Sequence, residues 1–160
     1  MVDMEINSTA TFHADPDRVA AMMSDPAWWQ DVYRRVGATT SNESRHGEGV
    51  SLDMALPAPS QVRRFVGETL AAHQETAWGA PDTDGSRQGT LTIVPKGMPA
   101  RAEGIAVLRP VGEGTEVTYR GTFTVSIPLV GGKIEKAAGP HITRAFDVQQ
   151  EAGNEWLASH

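Results

Sequence analysis

Residues 117–127 alternate with a period of two, then give way across a proline and two glycines to a segment of helical spacing. Val117, Tyr119, Gly121, Phe123, Val125 and Ile127 take one parity, and Thr118, Arg120, Thr122, Thr124 and Ser126 the other. A strand turns successive side chains to opposite faces, so the pattern predicts a strand with one apolar and one polar side. Pro128-Leu129-Val130-Gly131-Gly132 ends it, and the spacing predicts a helix from Lys133 to about Ala158. A long helix that follows a run of strands finds its apolar partner on the concave face of their sheet. That packing restricts the folds open to the chain, and it can enclose a cavity.

The rest of the chain supplies such a sheet. Met4, Ile6, Ser8, Ala10 and Phe12 alternate with polar neighbours as a half-buried strand. Asp15 as cap and Pro16 in the first position predict a helix carrying Val19, Met22 and Met23. Asp25-Pro26 opens a second with Trp28, Trp29, Val32 and Tyr33. Neighbouring helical positions do not share a face, so at most one tryptophan is expected to be fully buried: Trp29 as anchor, with Trp28 near the cavity opening. Ser41-Asn42-Glu43 and Gly47-Glu48-Gly49 read as turn residues leading into the strand Val50–Leu56. Leu70–Trp78, Gly89–Ile93 and Ala102–Leu108 follow, joined by hairpin-length connections that imply an antiparallel meander. Residues 60–66 interrupt it as a short helix capped by Ser60, either a packed surface excursion or a flap over the cavity mouth. Pro140 predicts a kink or break in the long helix around Lys136–Pro140, with His141 in the first turn beyond it.

Composition narrows the function. At 160 residues, 39% apolar and 21% charged, the chain reads as one globular domain spanning 1–160. A net charge of −6 with only short basic pairs, Arg34-Arg35 and Arg63-Arg64, argues against nucleic acid as a partner. The absence of cysteine excludes disulfides and thiolate chemistry. No secretory signal and no apolar run of about 20 residues is found, so a cytoplasmic setting without stable membrane insertion is expected. The five histidines are dispersed, and Gly131-Gly132-Lys133 lacks the rest of a phosphate loop. Neither metal nor cofactor is expected.

Alternation also assigns an interior: Val50, Leu52, Met54 and Leu56; Leu70, Ala72, Gln74, Thr76 and Trp78; Gly89, Leu91 and Ile93. For the next strand the set Ala102, Gly104, Ala106 and Leu108 is preferred, since it leaves Glu103 in water. The helix contributes Ile134, Ala138, Ile142, Ala145, Gln149, Ala152 and Trp156, with Phe146 alongside. Small inward residues (Ala10, Ala72, Gly89, Gly104, Gly121) imply close helix approach or a cavity. No ionisable side chain is expected inside. Ser8, Gln74, Thr76, Tyr119 and Gln149 are the inward polar groups, able to orient a ligand by hydrogen bonds.

The order strand, two helices, six strands, long helix resembles the helix-grip fold of the START-like (SRPBCC) superfamily, which includes lipid-transfer domains, polyketide cyclases and plant pathogenesis-related proteins. More closely, the chain resembles an actinobacterial family, domain of unknown function 2505. The matching residues are Asp25-Pro26 with Trp29, Phe65-Val66-Gly67-Glu68-Thr69-Leu70, Gln74-Glu75 with Trp78, Asp84-Gly85, the run Ser126 to Lys136, and Glu151 to Leu157. The resemblance implies an α+β fold: a curved antiparallel sheet of about seven strands wrapped around the C-terminal helix, with two short helices after the first strand. It also implies a hydrophobic pocket. Candidate ligand-binding residues are Met54, Phe65, Gln74, Trp78, Leu91, Tyr119, Phe123, Ile142, Phe146 and Gln149. The expected partner is a hydrophobic or amphipathic small molecule, lipid or polyketide-like. Two alternatives stand beside this carrier reading. One is a cyclase/aromatase-like enzyme using Tyr119 with His141 or Arg64; the other is a protein-interaction module whose interior is only core.

Overall fold

The structure, a computed structural model, describes residues 4–160. Strand β1 (Met4–Phe12) is followed by helices α1 (Pro16–Met23) and α2 (Pro26–Arg35). Strands β2 (Thr39–His46) and β3 (Gly49–Pro57) come next, then the short helix α3 (Arg63–Val66). Strands β4 (Thr69–Trp78), β5 (Arg87–Pro95), β6 (Ala100–Val111) and β7 (Gly114–Val125) lead into α4 (Gly131–Ser159). All seven strands form one antiparallel sheet in the order β1-β7-β6-β5-β4-β3-β2. The meander β2–β7 is thus closed on one side by the first strand pairing with the last. This is the expected helix-grip arrangement.

Local chemistry fixes the helix starts. The Asp15 carboxylate accepts from the Arg18 N–H at 2.9 Å, and Asp25 accepts from the Ala27 N–H at 2.9 Å, each with a proline in the first turn. On β6 the preferred parity holds: Ala106 and Leu108 are buried, whereas Ile105 and Val107 are 46% and 40% exposed on the convex face. Helix α4 is seated along β1 by polar side chains as well as apolar ones. Gln150 Oε1 accepts from the Thr11 N–H and Asn154 Oδ1 from the His13 N–H, both at 2.8 Å, and Asn154 Nδ2 donates to the Thr11 carbonyl at 3.0 Å. These bonds occupy backbone groups that an edge strand would otherwise present to another chain.

Several sequence expectations are corrected. Both Trp28 and Trp29 are buried, at 0% and 2% exposure. Helix α2 is wedged between β2, β3, α1 and α4, so two of its faces are covered at once. The indoles meet edge-on at 4.8 Å, and Trp29 Nε1 donates to the Met23 carbonyl at 2.8 Å. Trp28 therefore lies in the core and not at an opening. Ser60 does not cap α3: the helix starts after Val62, with no side-chain cap. Residues Ser41–Glu43 form a bulge inside β2, with Asn42 at φ +53°, instead of a turn before it. No break occurs at Pro140, and α4 runs on as one helix of 29 residues. Pro140 and Lys136, whose carbonyl loses its helical partner, are both exposed residues.

Candidate functional site

Helix α4 packs against β1 and β7, and α2 against β2 and β3. The short α3 packs against β4. Met54, Leu70, Thr76, Trp78, Leu91 and Ile93 point inward yet remain half-buried. They edge an apolar trough between two packed clusters. The larger cluster gathers Phe12, Trp28, Trp29, Leu52, Leu108 and Tyr119; the smaller gathers Ala58, Val62, Phe123, Val125 and Ile134.

The candidate residues distribute over both. Met54, Trp78, Leu91 and Phe146 are half-buried against the larger cluster, and Phe65 and Ile142 against the smaller, which contains Phe123. Gln74, Tyr119 and Gln149 are buried at 0%, 6% and 7% exposure. Ile142 and Phe146 also line a cleft of about 180 Å³ between α4 and β1, with Met4, Ile6 and Ser8 opposite. A larger recess of about 440 Å³ lies at the β7–α4 turn, lined by Ser126–Leu129, Gly131 and Gly132. Its Leu129 is 98% exposed. The excursion between β3 and β4 is packed: Val62 is buried, Phe65 and Val66 rest on the smaller cluster, and the Ala58 N–H donates to the Glu68 carbonyl at 2.8 Å.

Within the interior the polar groups pair. Tyr119 donates to Gln149 Oε1 at 3.1 Å, and its ring lies 4.8 Å from that of Phe146. Tyr33 donates to Gln74 Oε1, while Gln74 Nε2 is buried with no partner among the described residues. Burial pushes both tyrosine hydroxyls well above the usual phenol range, and for Tyr33 the nearby Tyr119 adds to the effect. Both stay neutral donors under ordinary conditions. The sequence places Tyr33 on α2 without assigning it to the site. The signal for more was chemical: a buried tyrosine hydroxyl finds a hydrogen-bond partner.

The interior is not free of ionisable groups, contrary to the sequence expectation. Glu135, 3% exposed, accepts from the Val125 N–H at 2.8 Å and ties α4 to the end of β7. Arg87, on the inward parity of β5, reaches Asp17 at 3.2 Å and Glu48 at 3.3 Å at the opposite end of the trough. Nor do the small inward residues all mark empty space. A Cβ on Gly121 would stand 2.2 Å from the Glu103 carbonyl oxygen, and one on Gly104 would stand 2.5 Å from that of Arg120. These paired glycines let β6 and β7 approach where the sheet bends. At Gly89 a Cβ would stand 2.6 Å from the Ala77 carbonyl oxygen and 2.7 Å from the Trp78 ring. The proposed catalytic grouping of Tyr119 with His141 or Arg64 is not formed. Tyr119 is sealed against Gln149 and Met23, His141 is exposed, and Arg64 stacks over Phe65 at 4.8 Å.

On the convex face His73 bridges Asp53 at 2.8 Å and Glu75 at 3.1 Å, with Lys96 at 3.6 Å from Asp53 and Asn42 donating to it at 2.8 Å. Bonds to Glu75 and Asp53 raise the His73 pKa above 6.5; bonds from Asn42 and His73 hold Asp53 down at about 2. A raised histidine contributes stability fully below its unfolded value and loses it as pH rises through the folded one. We expect stability to fall as pH is raised upward from 6.5, and His73→Gln to flatten that slope in urea unfolding across the range. The contribution of Asp53 is present above its ordinary 3.8 and lost only as pH falls towards 2.

A curved sheet gripping a long helix, with an apolar trough and paired polar groups beneath it, is the helix-grip, START-like fold. Solved structures share this fold. TTHA0849 of Thermus thermophilus superposes with a TM-score of 0.65 at 19% identity, over 97% of each chain. A START superfamily protein of Mycobacterium smegmatis gives 0.61 at 15% identity, over 96% of this chain and 98% of that one. The Zhui aromatase/cyclase of a Streptomyces species gives 0.66 at 10% identity, over 96% and 93%. At such identities the likeness carries the fold and no activity. The chain belongs to the family described as Protein of unknown function (DUF2505), whose pattern it matches over residues 7–157. Among its relatives, the uncharacterized protein Rv0481c of Mycobacterium tuberculosis is 27% identical over 147 residues, 89% of this chain and 82% of the relative. Among the described residues no helix is long and apolar enough to cross a membrane.

Proposed function

We propose that this protein binds or carries a hydrophobic or amphipathic small molecule, lipid or polyketide-like, held between the sheet and α4. The observation that carries this reading is the unfinished burial at the centre of the concave face. Met54, Trp78 and Leu91 point inward and pack against the larger cluster, yet stay only half-buried. Interiors are close-packed, so an inward apolar surface left half-covered beside a complete core is suited to accepting a further apolar body. Met54, Trp78, Leu91 and Phe146 supply apolar contact, Phe65, Phe123 and Ile142 extend it towards α3, and Gln74, Tyr119 and Gln149 orient a polar end. The separation of Tyr119 from His141 and Arg64 favours holding a ligand over transforming it through those groups.

Native mass spectrometry of gently purified protein tests the reading. We expect an adduct of small-molecule mass that disappears on denaturation, or one that forms after incubation with a panel of lipids and polyketides. A protein that stays free of adduct throughout that panel would refute the container.

A further inference from the structure

We infer that the interior site selects its ligand by hydrogen-bond polarity: the Gln74 amide reads a neutral acceptor oxygen, such as a ketone, ester or quinone carbonyl, and the site rejects carboxylates and phosphates. The inference rests on the container reading above and names the chemistry of its cargo. Gln74 is fully buried, and its carbonyl end is taken by the Tyr33 hydroxyl. Its Nε2, a donor of two hydrogens, has no partner among the described residues. Buried polar atoms are almost always bonded, because an unmade bond in a dry interior costs the full desolvation of the group. An orphan of this kind is explained when something else completes it.

Its surroundings show where that partner would come from. Gln74 pairs across the sheet with Leu52 and Ile93, and its neighbours along the same face are Ala72 and Thr76. The register sets Met54 opposite Ala72 and Leu91 opposite Thr76, so both half-buried trough residues stand diagonal to Gln74. Diagonal side chains on one face are about 7–8 Å apart, within reach of a ligand lying in the trough. A second pair, Tyr119 and Gln149, closes the far side towards α4.

The same surroundings exclude an anion. Transfer of a charged oxygen into this interior requires a cation beside it. The cation on the inward parity of β5, Arg87, stands six residues along the strand from Ile93, the register partner of Gln74, and is engaged by Asp17 and Glu48. What stands beside Met54 and Leu91 is the Gln74 amide donor, with the Thr76 hydroxyl next along the same face.

Displacement of the neutral dye Nile red by undecan-2-one, undecane and undecanoate tests this. The ketone should bind about tenfold tighter than the alkane and the carboxylate, as expected for one additional hydrogen bond. In Gln74→Leu the ketone should lose its advantage over the alkane, each read against whatever affinity the variant keeps for Nile red. The wild-type protein gives a second reading that needs no variant. Undecanoic acid should bind about tenfold tighter near pH 4, where much of it is neutral, than at pH 8. A carboxylate that binds as tightly as the ketone, a preference that survives in Gln74→Leu, or acid binding independent of pH would each overturn the inference. Absence of Nile red binding to the wild-type protein would instead overturn the container reading, and this one with it.

Discussion

Gly121→Val should leave the protein without a stable fold. The Cβ would be placed 2.2 Å from the Glu103 carbonyl oxygen and 2.7 Å from the Gly104 Cα. Both obstacles are backbone of the adjacent strand, so no side chain can rotate aside. Relief requires prising β6 from β7 in the middle of the sheet, where Gly104 and Gly121 face each other in register. Overpacking a core ordinarily costs about 1–3 kcal/mol, and a clash that also breaks ladder bonds exceeds that range. Typical domains are stable by about 5–15 kcal/mol, so the variant stands at the edge of folding or beyond it. Circular dichroism with urea titration reads the outcome; a variant with wild-type midpoint would show that the sheet does not need this approach. It also follows that a large residue at Gly121 cannot serve as a simple test of whether filling the interior blocks function.

Trp28→Ala should cost about 3–5 kcal/mol in urea unfolding, the range for removing a buried indole. Its ring is wholly buried and meets Trp29 edge-on at the junction of α2 with the sheet and α4. Trp28→Phe is the informative companion. The indole N–H is buried without a partner among the described residues, so phenylalanine keeps much of the apolar volume and removes an unsatisfied donor. We expect it to lose less than half as much as alanine. Equal losses would indicate that the N–H is bonded in solution. A Trp28→Ala variant of unchanged stability would mean that α2 is not pinned here.

Strands were legible in the sequence where alternation was strict, as on β1 and β7; on β6 both parities are apolar, and only Glu103 tipped the choice of inward face. Strand β2 was not legible: Thr39–His46 is almost wholly polar, lies at the sheet edge and carries a bulge, so its residues look like turn chemistry. The polar interior was half legible. Gln74, Tyr119 and Gln149 stand out because each is polar on an apolar parity. Tyr33 gives no such signal, since its partner Gln74 lies 41 residues away and sits on a different element. Glu135 and Arg87 were hidden for the same reason: what recruits them is a backbone amide or two carboxylates brought near only by the completed fold. The glycines mislead in a different way. A missing side chain reads as room in a sequence, while at Gly104 and Gly121 the space is filled by the neighbouring strand.

The pairing of β1 with β7 has a consequence for how the chain is made. Residues Met4–Phe12 find their partners at Thr115–Phe123. During synthesis the hairpins from β2 to β6 can form one after another as each emerges, whereas the first strand has no neighbour until more than two thirds of the chain has left the ribosome. Contacts of such long sequence separation are slow to close, and an unpaired apolar strand is a hazard while it waits. Seating α4 on β1 completes the last assembly step, so the helix that shapes the interior is also the element whose arrival ends the exposure of the N-terminal strand.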